Sequence, residues 1–398
     1  MDTKFYDIVV VGAGLVGLST AYHLKLKYPD RSLLILEKED HVSKHQSGNN
    51  SGVIHSGIYY KPGSLKAQNC INGYHSLISF AEKYDIPFDI CGKIIVASDQ
   101  SELTALDNIY NRGVQNGLTS IIKLGKEQLL EYEPHVAGVA GLHVPQTGII
   151  DYPAMARQLQ KLIIEELGGD IHFNEEVIAI QSRQHQYEIE TSKEVYLTDK
   201  IVTCAGLQSD KVANLTDNNK DLQIIPFRGE YYKLRPEKEY LVKNLIYPVP
   251  NPEFPFLGVH FTRMINGGVE AGPNAVLAFK REGYKFSDIN LGDVSQTMTW
   301  PGFWKIVMKY GKTGMMEMYR SLSKSSFTKS LQKLIPEVQE SDLTDGGAGV
   351  RAQACDRQGN LIDDFNITEG RNIVHVRNAP SPAATSCLSI GKLISEKI

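Results

Sequence analysis

The sequence predicts an α/β protein in which an open, mostly parallel sheet layered with helices is joined to a second domain built on a mixed or antiparallel sheet. Three observations predict it. The chain has 398 residues, too many for one ordinary core, so two domains are the natural expectation. It opens with a β-branched run, a glycine-rich turn and a helix-spaced segment in immediate succession. Residues 224–279 are rich in Tyr, Phe, Val and Pro in alternating segments, which suits antiparallel strands.

Taken in order, Asp7–Val11 (DIVVV) is a short buried run that stops at Gly12, and Leu15–Lys27 carries apolar residues at helical spacing. Tyr28–Arg31 holds a Pro-Asp turn signal, after which Leu33–Leu36 forms a second buried run ending in Glu37 and Glu39. The chain to Glu39 therefore reads as one βαβ unit. From Lys93 to Gly148 short strands alternate with one or two helices. Asp151–Leu167 is a helix with Asp151 as its cap and Pro153 in its first turn. Gly169–Glu190 reads as strands, and Lys200–Cys204, stopped by Gly206, returns the chain to the first domain. Trp300–Lys333 is helical and basic. Ile373–Val376 is a strand, and a last helix begins near Ala383. These elements place one domain in residues 1–90, 150–215 and 340–398, and the second in 91–149 and 216–339.

Composition excludes several classes. An apolar share of 42% and a charged share of 22% are those of a globular protein. A net charge of −4 with scattered Lys and Arg argues against a nucleic-acid partner, which would select a basic face. Five cysteines without a CxxC pair argue against a disulfide framework and a zinc site, and point to reduced thiols in the cytoplasm. Met1–Tyr6 runs almost directly into a strand, leaving no room for a cleaved leader. No run reaches the ~18 apolar residues needed to span a bilayer.

Gly12, Gly14 and Gly17 form GxGxxG at the strand-to-helix junction, where the missing side chains allow a tight turn, close approach of a pyrophosphate and close helix packing. The N–H groups of Leu15 and Val16 and the positive end of the helix dipole then face the phosphates. Glu37, at the end of the second strand, is placed to accept hydrogen bonds from an adenosine ribose. This is a Rossmann-like fingerprint for a dinucleotide. The turn alone does not separate FAD from NAD.

Four further segments occur in a particular order: Gly48–Tyr60 (GNNSGVIHSGIYY), Cys204–Asp210 (CAGLQSD), Gly346–Arg351 (GGAGVR) and Asn378–Ser386 (NAPSPAATS). Together with the glycine turn they make a chain that resembles the D-amino-acid-oxidase-like family of FAD oxidoreductases from about Tyr6 to its last helix. The resemblance implies a Rossmann-like FAD-binding domain, a mixed/antiparallel-sheet substrate domain, and FAD as cofactor. It implies that Lys38, Ser47, Asn50, Ser51, Val177, Ala205 and Gly206 border the cofactor with the fingerprint, as do Ser381, Pro382, Ala383, Ala384 and Thr385. A reduced flavin carries negative charge, which a helix N-terminus near Ser381–Thr385 would stabilise.

Within that family the pattern implies oxidation of a 2-hydroxy dicarboxylic acid such as L-2-hydroxyglutarate, with an amino acid or glycerol 3-phosphate as the rival substrates and a non-catalytic cofactor sensor as the rival class. Oxidising a 2-hydroxy acid requires a cation for the carboxylate and a base for the hydroxyl proton. Arg351 is the expected carboxylate clamp, because a guanidinium matches a carboxylate with two parallel hydrogen bonds. His55 and His260 are the candidate bases, since imidazole changes charge near neutral pH; His55 is also a candidate flavin-linking residue. For a distal carboxylate the candidates are Tyr59, Tyr60, Lys61, Arg228 and Arg263, among which the sequence does not choose.

Residues 300–333 hold both tryptophans of the chain and seven cations (Lys305, Lys309, Lys312, Arg320, Lys324, Lys329, Lys333) against one anion, Glu317. An aromatic, basic amphipathic helix of this kind can lie in a lipid interface, which would put the protein on the inner face of the cell membrane and suit electron transfer to a membrane quinone; oxygen is the alternative acceptor, and the sequence does not choose. The competing reading is a cap or oligomer contact over the substrate site.

Overall fold

The computed structural model describes residues 4–217, 220–250 and 257–398, without the side chains of Lys312 and Thr313. Met1–Thr3 of the expected leaderless start, part of the alternating 224–279 stretch, and the cationic head of Lys312 lie outside the described residues. The elements that position the site are, in chain order, β1 (Lys4–Val11), α1 (Leu15–Lys27), β2 (Leu33–Leu36), β3 (Lys93–Ala97), β4 (Val195–Thr203), β5 (Leu222–Leu234), β6 (Leu245–Pro248), β7 (His260–Arg263), β8 (Val269–Gly272), α2 (Pro301–Leu322), β9 (Leu343–Asp356), β10 (Ile373–Asn378) and α3 (Cys387–Glu396).

The first sheet is parallel at its centre. β1 lies between β2 and β4, with residues 170–172 beyond β2 and β10 beyond β4. Antiparallel strands at 177–183, 186–191 and 366–370 extend it. Every residue of β2 and the last four of β1 are buried, as strands covered on both faces must be. Ile8 and Val10 pack with Leu18, Leu159 and Ile390 on the helical face, while Val9 and Val11 pack with Tyr196 and Ile201 on the other. The Asp151 cap forms as expected, its carboxylate accepting the Ala154 N–H at 2.8 Å. The helix it starts, Tyr152–Lys161, widens into a π turn at Leu162–Glu166.

The second sheet is mixed. Its order is 276–277, β5, β8, β7, β6, β3, 140–144 and 122–125, with β9 paired along β5. β3 and β6 are parallel neighbours; the other pairs are antiparallel. Residues 343–356, expected with the parallel sheet, instead pair with β5 from Leu343 opposite Leu234 to Asp356 opposite Leu222. In GGAGVR, Gly346 and Gly349 are places where a Cβ would meet Tyr231 and Asn49 backbone, so this strand is glycine-rich because its neighbours crowd it.

Two helix boundaries differ from expectation. The last helix begins at Cys387, because Thr385 is tied by its hydroxyl to neighbouring segments and Ser381–Ser386 stays in turns. The 300–333 segment breaks at Ser323, whose side chain caps a separate helix, Lys324–Leu331, by accepting the Ser326 N–H.

Candidate active site

The glycine turn is built for close contact. Gly12 has φ +104°, and a Cβ on it would lie 2.5 Å from the Cys204 carbonyl oxygen; one on Gly17 would lie 1.9 Å from the Gly12 oxygen. Those two glycines are demanded by the chain itself. A Cβ on Gly14 would meet only the Ser47 hydroxyl, at 3.2 Å, so at Gly14 the open space faces outward from the turn. Ser47 accepts the Leu15 N–H at 3.0 Å, whereas the N–H groups of Gly14 and Val16 have no acceptor among the described residues. The N-cap residue of α1 has no side chain to cap it and its first turn holds no acid, leaving its positive pole for an anion.

Glu37 is turned into this loop. Its carboxylate accepts the Ala13 N–H at 2.7 Å and the Glu39 N–H at 3.0 Å, so it fixes the turn and keeps one lone pair on each oxygen for a ribose hydroxyl. Lys38 points into an ion-pair network instead of the turn: its ammonium lies 2.6 Å from Glu282 and 3.3 Å from Glu39, with His45 on the other side of Glu39. Asn50 spends its amide on Gln46 and Ser47 carbonyls and accepts the Gly52 N–H, shaping the loop that carries Ser51. Val177 starts the antiparallel strand at the edge of the parallel core, packed with the Val11 cluster. Ala205 and Gly206 follow directly from β4, Gly206 at φ +51°.

Two segments expected at the cofactor meet each other. The His55 N–H donates to the Thr385 hydroxyl at 3.1 Å, Tyr152 bridges Thr385 at 2.9 Å and the Val53 carbonyl at 3.1 Å, and His55 Nε2 lies 3.4 Å from the Ser381 hydroxyl. Ala383 donates back to Pro380, but the N–H groups of Ala384 and Thr385 have no acceptor among the described residues. Pro382 is buried. A glycine cradle with unused donors at one end and a second pair of unused donors beside His55 fit the diphosphate and the anionic ring edge of FAD.

On the second sheet, Tyr247 and His260 are stacked across β6 and β7, ring centroids 4.0 Å apart. His260 is 5% exposed. Its Nδ1 lies 2.9 Å from the Gly258 carbonyl oxygen, which can only accept; Nδ1 therefore carries the hydrogen and Nε2 presents a lone pair. Burial holds His260 down at about 3; the hydrogen bond to that carbonyl opposes it, and the Arg351 and Lys93 cations add smaller downward pulls. Burial, then Lys93 and Lys66, hold His55 down at about 3. Both imidazoles are neutral at physiological pH, the form a base requires.

Arg351 lies opposite Phe227 on β5, and its charge favours the ionised forms of Tyr231 and Tyr247, both pushed up mainly by burial. The structure does not bring Arg228 to it. Arg228 pairs with Val350 and so alternates to the other face, where it is 1% exposed, bound to Glu230 at 2.8 Å and stacked on Phe286. Arg263 is three residues from His260, hence on the opposite face of β7, and forms an ion pair with Asp89. Lys61 is exposed. Of the distal candidates only Tyr59 and Tyr60 stay by the histidines: the Tyr59 hydroxyl is buried without a partner, and Tyr60 lies under the Lys66 ammonium at 5.0 Å.

Three residues absent from the sequence reading complete this face: Lys93, Tyr231 and Tyr247. Lys93 heads a buried run, KIIVA, and a lysine at the start of a strand reads as a solvated end. Only the register with β6 reveals it as interior.

Residues 7–397 match the family described as FAD dependent oxidoreductase. The L-2-hydroxyglutarate dehydrogenase of Indibacter alkaliphilus is 55% identical over 392 residues, 98% of each chain. The human mitochondrial L-2-hydroxyglutarate dehydrogenase is 44% identical over 414 residues, covering 100% of this chain and 89% of that one. Among solved structures, the FAD-bound L-α-glycerophosphate oxidase of Mycoplasma pneumoniae superposes with TM-score 0.80 at 23% identity, covering 99% of this chain and 95% of that one. Glycine oxidase of Geobacillus kaustophilus gives 0.73 at 16%, with coverage of 99% and 95%. At such identities the structural likeness speaks for the fold.

Proposed function

The chain belongs to the FAD dependent oxidoreductase family, and from that premise we propose that it oxidises L-2-hydroxyglutarate to 2-oxoglutarate. Its cofactor is FAD. The 55% identity along the full chain with a dehydrogenase of that substrate carries the reading. Bound FAD would supply the two-electron acceptor for the hydride that leaves Cα. The glycine turn and the N-terminus of α1 would hold its diphosphate, and the unused N–H groups of Ala384 and Thr385 would hold its ring. Arg351 grips the carboxylate beside the reacting carbon. His260 Nε2 takes the hydroxyl proton as the C–O bond becomes a carbonyl, while its Nδ1–H stays on Gly258. The substrate's own negative charge, arriving beside two cations, favours the imidazolium that results.

The test is an anaerobic absorbance spectrum of the purified yellow protein before and after addition of L-2-hydroxyglutarate. Bleaching supports the reading. Bleaching by glycerol 3-phosphate or an amino acid, and none by L-2-hydroxyglutarate, overturns it.

The surface of α2 favours a finer reading, in which the protein lies on anionic lipid and passes its electrons to a membrane quinone. Phe303, Ile306 and Glu317 are buried on one side of the helix. Trp304, Met308, Met315, Tyr319 and Leu322 are exposed and recur at spacings of three and four residues or their sum, a stripe on the opposite side. Lys305 and Lys309 flank it. No helix among the described residues is long and apolar enough to cross a membrane. Flotation with anionic liposomes at low and moderate salt tests this reading; protein that stays at the bottom of the gradient at both removes it.

A further inference from the structure

Lys93 opens β3, yet it is 1% exposed. It sits opposite Leu245 of β6, so its side chain emerges on the same face as Tyr247, two residues further along. His260 shares that face, since β7 pairs Thr262 with Leu245 and Phe261 with Ile246. The Lys93 ammonium lies 4.6 Å from the Tyr59 ring centroid and 4.8 Å from that of Tyr247. Two ring faces favour a cation but do not neutralise it.

No carboxylate pairs with Lys93 among the described residues. The one acid whose proximity favours its charge is the Cys70 thiol, and burial pushes that thiol up to about 12, so it carries no charge at neutral pH. The Tyr59 hydroxyl, on the ring that the ammonium lies over, is buried with no hydrogen-bond partner. A buried cation with no counter-ion, next to an orphaned hydroxyl, is half of an ion pair waiting for an anion with room for two donors.

We infer that Lys93, with the Tyr59 hydroxyl, binds the distal carboxylate of the substrate and sets the preference for a dicarboxylate; the inference rests on the 2-hydroxyglutarate reading above. The planar fork of Arg351 suits the carboxylate adjoining the reacting carbon, where orientation matters, and the compact ammonium suits a terminal charge. Lys93 and Arg351 both act on His260 electrostatically, and the inference gives each cation one carboxylate of the five-carbon diacid. A substrate ending in a methyl group leaves the ammonium buried and unpaired, which selects against it.

The experiment compares the holoenzyme with Lys93→Met and Lys93→Arg, each with FAD content and thermal midpoint recorded. kcat/KM is measured for L-2-hydroxyglutarate and for L-2-hydroxyvalerate, and the affinity of unreactive glutarate is read from the flavin absorbance shift. In Lys93→Met the preference for the diacid over the monoacid should fall by about 10²-fold and glutarate binding should weaken by a similar factor. Lys93→Arg should retain part of the preference with a raised KM. An unaltered preference and unaltered glutarate affinity in a flavin-loaded Lys93→Met overturn the inference. If that variant does not hold FAD, a KM for L-2-hydroxyglutarate in Lys93→Arg equal to that of the parent overturns it. A parent enzyme not reduced by L-2-hydroxyglutarate at all overturns the proposed function instead.

Discussion

Asp210 and Arg281 form an ion pair almost wholly withdrawn from water, with Arg281 Nη2 donating to the Asp210 carboxylate at 2.8 Å. Arg281 also donates to the Leu207 carbonyl, and Asp210 accepts the Ile224 N–H, so the pair joins the turn after β4 to the start of β5. Removing one partner of such a pair leaves a buried charge. Asp293 reaches Arg281 Nε only at 3.8 Å and cannot replace Asp210. Asp210→Asn should therefore lower the unfolding free energy by about 3–5 kcal/mol. Urea titration of the FAD-loaded protein checks it; a midpoint equal to the parent's contradicts the clamp.

The fingerprint glycines separate into two kinds, and substitution by alanine should divide them. Gly17→Ala drives a methyl into the Gly12 carbonyl, at 1.9 Å, and should fail to fold or lose most of its stability. Gly14→Ala meets only a hydroxyl at 3.2 Å, and should fold with a near-parental circular dichroism spectrum while binding FAD more weakly. Full yellow colour in Gly14→Ala would remove the phosphate from that turn.

Arg351→Lys tests the clamp by chemistry alone. The point charge stays and the bidentate fork goes, so flavin content should be retained while kcat/KM for L-2-hydroxyglutarate falls by about 10- to 10²-fold. Unchanged kinetics would take Arg351 out of the site.

The sequence made the parallel core legible because its signals are local. DIVVV, three glycines, a helical period and a terminal Glu lie within one βαβ unit, and each is forced by packing or backbone geometry that a short window contains. The substrate face was legible only in part. Arg351 and His55 stand inside recognisable segments and His260 in an alternating run, whereas Lys93, Tyr231 and Tyr247 become neighbours through the sheet order β5, β8, β7, β6, β3, which no window spans. Arg228 and Arg263 failed as partners for the same reason in reverse. Their charge is visible in the sequence, but the alternation that turns them away from Arg351 and His260 depends on register. The last helix starts late because of Thr385, whose hydroxyl bonds reach segments more than 200 residues away.

The pH dependence should carry the signature of neutral histidines. His260 faces the Tyr247 ring, the Gly258 carbonyl, Arg351 and Lys93, and is held down at about 3; His55 faces Lys93, Lys66 and His260, and is also held at about 3. The base must be unprotonated to act, so lowering the pH inactivates it only near these depressed values. Free-enzyme kcat/KM should therefore stay flat between about pH 6 and 5, without the acid limb near 6.5 that an ordinary imidazole gives. On the alkaline side the sign reverses. Lys93 faces Tyr59, Tyr247, Cys70, His55 and His260, and burial brings it down to about 7; its active form is the protonated one, so kcat/KM for the diacid should decline as pH rises through that value. His260→Gln keeps a hydrogen-bonding side chain but no base, and should slow anaerobic flavin reduction by about 10²–10⁴-fold at every pH while leaving FAD bound. Stopped-flow absorbance across the pH range reads both effects. An acid limb centred near 6.5 in the parent, or a His260→Gln variant reduced at the parental rate, would assign the proton to another group.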